Sequence, residues 1–436
     1  MSTAPNSPDE YAYHDRFRIP LTHPAALDFY LNELLVPHSR KEMIWAAAAR
    51  APAFAGRAAL PALGLRYTQE GSGRAPADDA DIRRICALLR DTGVMPDAEP
   101  SFISLADYGH SERGKVVVFV LDPRADKPRL VIKMSSQAEH VVALEREHAT
   151  LCSLRERLGE GLLDTLPLPL TVVREGQETA FVQAYMPGRS MYLELRNSFA
   201  PRALVERHFR LARDWLIAFQ QATRAGETRL GEFPSESGMA GLFADYRRIA
   251  SPSAPEEEYI GRICRKAREL ENEPLPVVAS QGDFWARNLI LQGSRLGVID
   301  WESYGERASP FADLFLFTTS YGLSYPWQLG RWAEPSAAFR STYASNGWMA
   351  RIVSRHLREF CARSRISSKL LEVCFAAFAA QRAIEEKTQH VSSSHIHEKQ
   401  GARVTGAAQN DVSTKGQMWR RLFQECALMA GNACFG

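Results

Sequence analysis

The segment SQGDFWARNLILQGSRLGVIDWESYGERASPFADLF, residues 280–315, constrains this chain more than any other. Its apolar runs are interrupted by Asp283, Asn288, Asp300 and Asp313. The runs read as two short strands, about 287–292 and 296–300, around the turn QGS, with a helix beginning near Pro310. A carboxylate or amide at the end of a buried strand is costly unless it is paired or coordinates something. Placing several of them there points to chemistry rather than to packing.

Phosphoryl transfer asks a protein for three things: a carboxylate near the acceptor hydroxyl, oxygen ligands for Mg2+, and a cation on the nucleotide phosphates. Asp283 followed by Asn288 offers the first and part of the second from one tight loop. Asp283 is charged at neutral pH and can orient a hydroxyl or accept its proton. Asn288 is a neutral oxygen ligand, suited to a metal that keeps its waters. Asp300, at the end of RLGVID, can bring a second, charged ligand to the same cation.

The chain of 436 residues is 45% apolar, enough for one large domain or two to three average ones with a sizeable core. A formal charge of +2 implies neither nucleic acid nor a membrane surface as partner. The seven cysteines are scattered, odd in number and form no C-x-x-C pair, so reduced, mostly buried thiols in a cytoplasmic protein are expected. MSTAPNSPDEYAYHDRFR is polar and acidic with no apolar core, so no signal peptide is expected, and no apolar run approaches a membrane span.

Residues 1 to about 20 read as a disordered or strap-like tail. Helical spacing of apolar residues predicts helices near 24–36 and 39–50, broken at Pro37, and another through DADIRRICALLRDTG ending near Gly93. GSGRAPADDA, 71–80, reads as a linker. The character changes near residue 100. KVVVFVLD (115–122) and RLVIKM (129–134) are β-branched runs around the turn PRADKP. A helix to about residue 158 follows, with Ser135 or Ser136 as its cap, and LTVVRE and TAFVQAYMPG form a second strand pair. Beyond Gly188 the pattern is helical, near 201–225 and 255–271 and again from 334, with strands expected only in the opening segment. HVSSSHIHEKQGARVTGAAQNDVSTKGQ reads as a polar mobile loop.

QGDFWARNLILQGSRLGVIDWE resembles the signature of the aminoglycoside phosphotransferase and choline kinase group, small-molecule relatives of the protein kinases. That pattern is H-G-D-x-x-x-x-N, a hairpin, I-D-W-E and P-x-x-D-L. Asp283 and Asn288 keep its D-x4-N spacing, Ile299, Asp300, Trp301 and Glu302 reproduce I-D-W-E, and Pro310, Asp313 and Leu314 the last element. The likeness spans roughly residues 100–325.

The resemblance implies an α+β, bilobal protein kinase-like fold: an N-terminal helical extension (1–95), a small β-rich lobe with hinge (96–188) and a large helical lobe (189–436). It implies an ATP- and Mg2+-dependent kinase acting on a small-molecule hydroxyl, with Asp283 as catalytic base and Asn288 and Asp300 as metal ligands. Lys133 in VIKM would reach the α- and β-phosphates. Glu147, followed by Leu151 and Leu154, would pair with it, with Glu145 the competitor one turn-face away. FVQAYMPG would be the hinge, reading adenine through the Ala184 carbonyl and the Met186 amide, with Gln183 as gatekeeper. A non-catalytic nucleotide-binding scaffold is the alternative, which intact Asp283, Asn288, Asp300 and Lys133 disfavour.

The chain departs from the pattern in three places. Gln281 replaces the usual histidine, and glutamine can still hydrogen-bond. The phosphate-covering loop, LADYGHSERGKVVVF, offers only Gly109 and Gly114. AFQQATRAG stands where many relatives carry a Leu-His pair. His390, His395 and His397 lie close together, but a solvated loop explains them better than zinc does. Residues 340–436 hold fourteen Lys and Arg against seven Asp and Glu, which argues against a polycationic acceptor and for a neutral or anionic hydroxyl compound.

Overall fold

The computed structural model describes residues 10–14, 17–20, 24–35, 66–69, 79–95, 101–106, 114–121, 127–197, 201–233, 238–328, 334–344, 346–400 and 418–429. The fold is α+β. The chain divides into two compact units: Met1–Phe199 with Arg287–Ser303, and Ala200–Ala286 with Tyr304–Gly436.

The first unit is built on an eight-stranded antiparallel sheet, ordered β3-β1-β2-β4-β5-β6-β8-β7. Its strands are β1 (Glu10–His14), β2 (Phe17–Pro20), β3 (Arg66–Gln69), β4 (Ser101–Ala106), β5 (Val116–Leu121), β6 (Pro128–Ser135), β7 (Pro169–Glu175) and β8 (Glu178–Ala184). The two strand pairs expected on either side of a long helix are present, and that helix, α3, spans Ala138–Arg157. Its first turn is set one residue later than read: Gln137 is the N-cap, and Ser135 Oγ accepts the Gln137 N–H at 3.2 Å.

The N-terminal region contains the expected helices α1 (Pro24–Phe29, continued as a π-helical turn to Leu34) and α2 (Asp79–Asp91). The helix read at 39–50 and the linker at 71–78 lie outside the described residues. The reading of residues 1 to about 20 as a tail is corrected for residues 10–14 and 17–20: β1 and β2 pair antiparallel, and β3 adds to them, widening the sheet. Short polar strands such as EYAYH carry little periodic signal. Their pairing depends on a sheet edge supplied from more than 80 residues away in the chain, where β4 pairs with β2.

Alternation along β5 sorts its side chains between two faces. Val116, Val118 and Val120 pack with Ile82, Ile85 and Leu89 of α2. Val117 and Phe119 point the other way and line a cavity, together with Val131, Lys133 and Gln183 of the paired strands. Phe29 of α1 covers the far end of that face, its ring 5.6 Å from both Phe119 and Tyr185. The same unit holds a small sheet of β9 (Arg189–Ser190), β12 (Leu289–Gln292) and β13 (Arg295–Val298), in the order β13-β12-β9.

The second unit is mostly helical. Its helices include α6 (Arg202–Ala222), α7 (Gly238–Ala250), α8 (Ala254–Glu269), α9 (Ala312–Gln328), α11 (Trp348–Ser364) and α12 (Leu370–Gln400). Two expectations are corrected here. A three-stranded sheet of β10 (Gly226–Arg229), β11 (Pro274–Ser280) and β14 (Gly305–Ala308) was not anticipated. PLPVVAS is a short apolar run with two prolines at its start, which periodicity does not separate from buried coil. The start of the supposed mobile loop is instead the end of α12, which meets no Gly or Pro before Gly401. The side chains of His390, His395 and His397 lie outside the described residues.

Candidate active site

In the first unit, β6 carries Lys133 on the cavity face two residues before its end, and α3 brings Glu147 to it. Lys133 Nζ donates to Glu147 Oε1 at 2.6 Å and Oε2 at 2.7 Å, and to Asp300 Oδ1 at 2.8 Å. Glu147 is fully buried. Its Oε1 also accepts the Trp301 backbone N–H at 3.1 Å, which ties α3 to the residue after Asp300. Glu145 stands elsewhere: it is exposed and paired with Arg174. Leu151 and Leu154, one and two turns on, are fully buried and hold the helix in place.

Two groups outside the expected set join this cluster. Lys115, at the start of β5, donates to Glu302 Oε2 at 2.5 Å and stands 3.8 Å from Asp300 Oδ1. The signal was visible as G-K-V at a strand entrance, but a lysine there is usually solvated. Burial opposes the ionisation of Asp300, yet Lys133 and then Lys115 outweigh it and hold the carboxyl at about 2. Burial likewise opposes charge on Lys133, and Asp300 and Glu147 reverse that, raising its pKa above the ordinary lysine value. Asp300 adopts φ +65°, a left-handed conformation uncommon outside glycine, asparagine and aspartate.

The cavity on this face measures about 820 Å³, within the size range of a small-molecule site. Lys133, Asp300, Asn288 and Met186 all line it, as do Tyr30 and Glu33 from the N-terminal α1. Ala184 ends β8, and beyond it the Tyr185 amide donates to Arg129 O at 2.9 Å. Gln183 is 3% exposed, and its Oε1 has no hydrogen-bond partner among the described residues. An unsatisfied buried amide oxygen costs about 1–3 kcal/mol. A ligand with an N–H donor would remove that cost, so the residues present fit an aminopurine base. Glu147, Asp300 and Glu302 bring carboxylate oxygens within 4.8 Å of one another, a donor set of hard oxygens that fits a divalent cation such as Mg2+.

Asp283 belongs to the second unit, in a loop fixed by hydrogen bonds on both sides. Asp313, buried at the start of α9, accepts Ser280 Oγ at 2.8 Å, the Gln281 N–H at 2.7 Å and the Gly282 N–H at 3.0 Å. Burial raises its pKa despite those three donors. Gln281 is fully buried, and its Oε1 accepts the Asp283 N–H at 2.9 Å. Glutamine thus does in this loop what a scaffolding histidine would do. Trp285 Nε1 donates to Asp283 Oδ2 at 3.2 Å, which orients the carboxylate. The substituted Leu-His position also acquires a structural account: Gln220 Nε2 donates to Pro310 O at 2.8 Å, holding the segment that delivers Asp313.

A buried lysine–glutamate pair beside the aspartate that follows β13, on one face of an antiparallel sheet, is the arrangement that the phosphotransferase resemblance implies. The chain belongs to the phosphotransferase enzyme family, whose model matches residues 111–350. Similar solved structures include a thermostable mutant of aminoglycoside phosphotransferase APH(4)-Ia in ternary complex with ADP and hygromycin B. It is 11% identical with a TM-score of 0.43, the match covering 78% of this chain and 97% of that one. Aminoglycoside phosphotransferase APH(3'')-Id from Streptomyces rimosus is 18% identical with a TM-score of 0.37, covering 66% and 93%. Glucosamine kinase in complex with glucosamine, ADP and inorganic phosphate is 18% identical with a TM-score of 0.40, covering 73% and 84%. No curated protein matches the sequence.

Proposed function

We propose that this protein is an ATP- and Mg2+-dependent kinase that moves the γ-phosphate to a hydroxyl of a small molecule: a sugar, nucleoside, amino alcohol or antibiotic. One observation carries the reading. A lysine that stays charged is buried against Glu147 and Asp300 on the wall of a cavity large enough for a nucleotide. The ion pairs hold the ammonium at a fixed place on the cavity wall, so a phosphate oxygen need only replace one of its carboxylate contacts.

In this reading Asn288 and Asp300 would hold Mg2+, which when bound would neutralise charge on the phosphates. Lys133 binds the phosphates, and Glu147 keeps its ammonium aimed into the cavity. The base lies at the hinge end, against Gln183, the Ala184 carbonyl and the Met186 amide. Asp283 orients the acceptor hydroxyl and takes its proton late, because the transition state is loose. Gln281 and Trp285 hold the Asp283 backbone and carboxylate in place for that task.

The test is Asp283→Asn with purified protein, AMP-PNP binding and a panel of hydroxyl acceptors with ATP and Mg2+. Removing a general base lowers turnover by about 10²- to 10⁴-fold. Nucleotide affinity should change little, since the substitution deletes one charge without touching the cavity face. Nucleotide binding by the wild type with no acceptor phosphorylated would favour a nucleotide-binding scaffold instead, and a variant as fast as wild type would remove Asp283 as the base.

A further inference from the structure

We propose that Lys115 is a second phosphate-binding cation, parked on Glu302 and Asp300 and transferred to nucleotide phosphate when a divalent cation takes the carboxylates. The proposal rests on the nucleotide reading above and assigns a residue which that reading leaves without a role.

The bonding capacity of Lys133 comes first. An ammonium has three N–H donors. Lys133 spends two on Glu147 and one on Asp300, all at 2.8 Å or less. To meet a phosphate it must give up at least one of them. Lys115 is differently placed. Among the described residues its ammonium donates one hydrogen bond, to Glu302, and lies 3.8 Å from Asp300 Oδ1, beyond hydrogen-bond range. Its side chain is 17% exposed and lines the same cavity as Lys133. A lysine stem is long and its head is a compact charge with rotatable donors, so it can swing without the backbone moving.

Charge balance gives the direction of the exchange. Glu147, Asp300 and Glu302 carry three negative charges within a few ångströms, and the two lysines answer only two of them. A divalent cation among these carboxylates overturns that balance and competes directly for the Glu302 oxygen that Lys115 holds. The displaced ammonium then sits in the cavity beside an anion. The position also answers a shortage in the sequence. The sequence just before β5 has only Gly109 and Gly114, so it is poor in the glycines of a phosphate-cradling motif. A lysine immediately before β5 supplies positive charge there instead.

The experiment is calorimetric titration of the full chain with Mg2+–AMP-PNP and, separately, with adenosine, for wild type, Lys115→Met and Lys115→Arg. A hydrogen bond to a charged group contributes about 1.5–3 kcal/mol. Lys115→Met should therefore weaken AMP-PNP binding by about 10- to 100-fold. Adenosine has no phosphate, and its affinity should stay the same. Lys115→Arg keeps the charge and should keep most of the AMP-PNP affinity. If AMP-PNP binding is unchanged in Lys115→Met, the role fails. If both ligands weaken together, Lys115 merely holds Glu302 in place, and the role fails equally. Wild type that binds AMP-PNP no more tightly than adenosine would overturn the phosphate site as a whole, and with it the proposed kinase.

Discussion

Asp300 answers two demands with one side chain. Its carboxylate is the meeting point of Lys133 and Lys115, and its backbone sits at φ +65°. Strain of this kind costs on the order of 1–3 kcal/mol and persists where surrounding contacts over-determine it. Here those contacts are the lysines and the Trp301 N–H bonded to Glu147. Asparagine tolerates the same backbone region, so Asp300→Asn isolates the charge from the strain. If Asp300 holds the metal as proposed, the substitution should reduce the proposed phosphotransfer by about 100-fold, while thermal unfolding remains cooperative. Phosphotransfer near the wild-type rate would remove Asp300 from the metal site. The pH dependence has a definite sign. The folded carboxyl is held at about 2 against an ordinary value of 3.8, so its stabilising effect is present above 3.8. It is lost as pH falls from 3.8 through about 2, and Asp300→Asn should unfold with a flatter acid dependence over that window. The residue types and spacing here were legible in the sequence, and so was the choice of Glu147 over Glu145. The left-handed backbone and Lys115 were not, because both arise from contacts between segments about 150 or more residues apart.

At the scale of elements, the segment after β8 and the β12–β13 hairpin approach each other closely through backbone. Arg189 and Ser190 of β9 pair with Leu291 and Ile290 of β12. Gly188, just before them, has φ +130°, and a Cβ there would lie 2.6 Å from Leu291 O. That neighbour is backbone and cannot rotate away. Gly188→Ala should cost at least about 2 kcal/mol, the sum of a strained backbone and an overpacked contact. Gly293, in the turn between β12 and β13, also has positive φ, at +58°, but nothing lies within 4 Å of its added Cβ. Gly293→Ala should cost only the left-handed penalty, about 1–2 kcal/mol. Urea unfolding of both variants measures the difference, and equal losses would refute the close approach at Gly188. The hairpin itself was readable from two apolar runs around QGS. Its partner strand of two residues was not, since two residues carry no periodicity.

Across the whole molecule, the basic surplus of the C-terminal region is less available than the sequence count suggested. Within the second unit, Arg355 pairs with Glu206 and Arg363 with Asp214, carboxylates from outside the counted segment, while Arg340 pairs with Glu425. The argument for an anionic acceptor weakens accordingly. One of these networks also makes stability depend on pH. His356 is buried between α6 and α11, and its Nδ1 accepts from Arg213 at 3.1 Å. Burial, and then the Arg213 charge, push its pKa down to about 4 from 6.5. The neutral ring therefore stabilises the fold above 6.5, and that contribution is lost as pH falls from 6.5 through about 4. Thermal melts should show a falling midpoint across that range, and His356→Phe should flatten it. An unchanged slope in the variant would place the pH dependence elsewhere. Among the described residues no helix is long and apolar enough to cross a membrane.

What the sequence determined by itself was the set of chemistry-bearing residues and the local elements that carry them. Strong β-branched runs, a long helix, and the D-x4-N and I-D-W-E spacings are local patterns, and local patterns survive without a fold. What only the tertiary structure decided was anything that depends on partners far apart in the chain. The polar strands near the N-terminus exist because β4 offers an edge. PLPVVAS is a strand because β10 and β14 flank it. Gln281 can stand in for a histidine because Asp313 fixes the loop around it. Lys115 became part of a site because folding brought it to Glu302, 187 residues away in sequence. Those contacts follow from chain closure and burial, which no window of sequence contains.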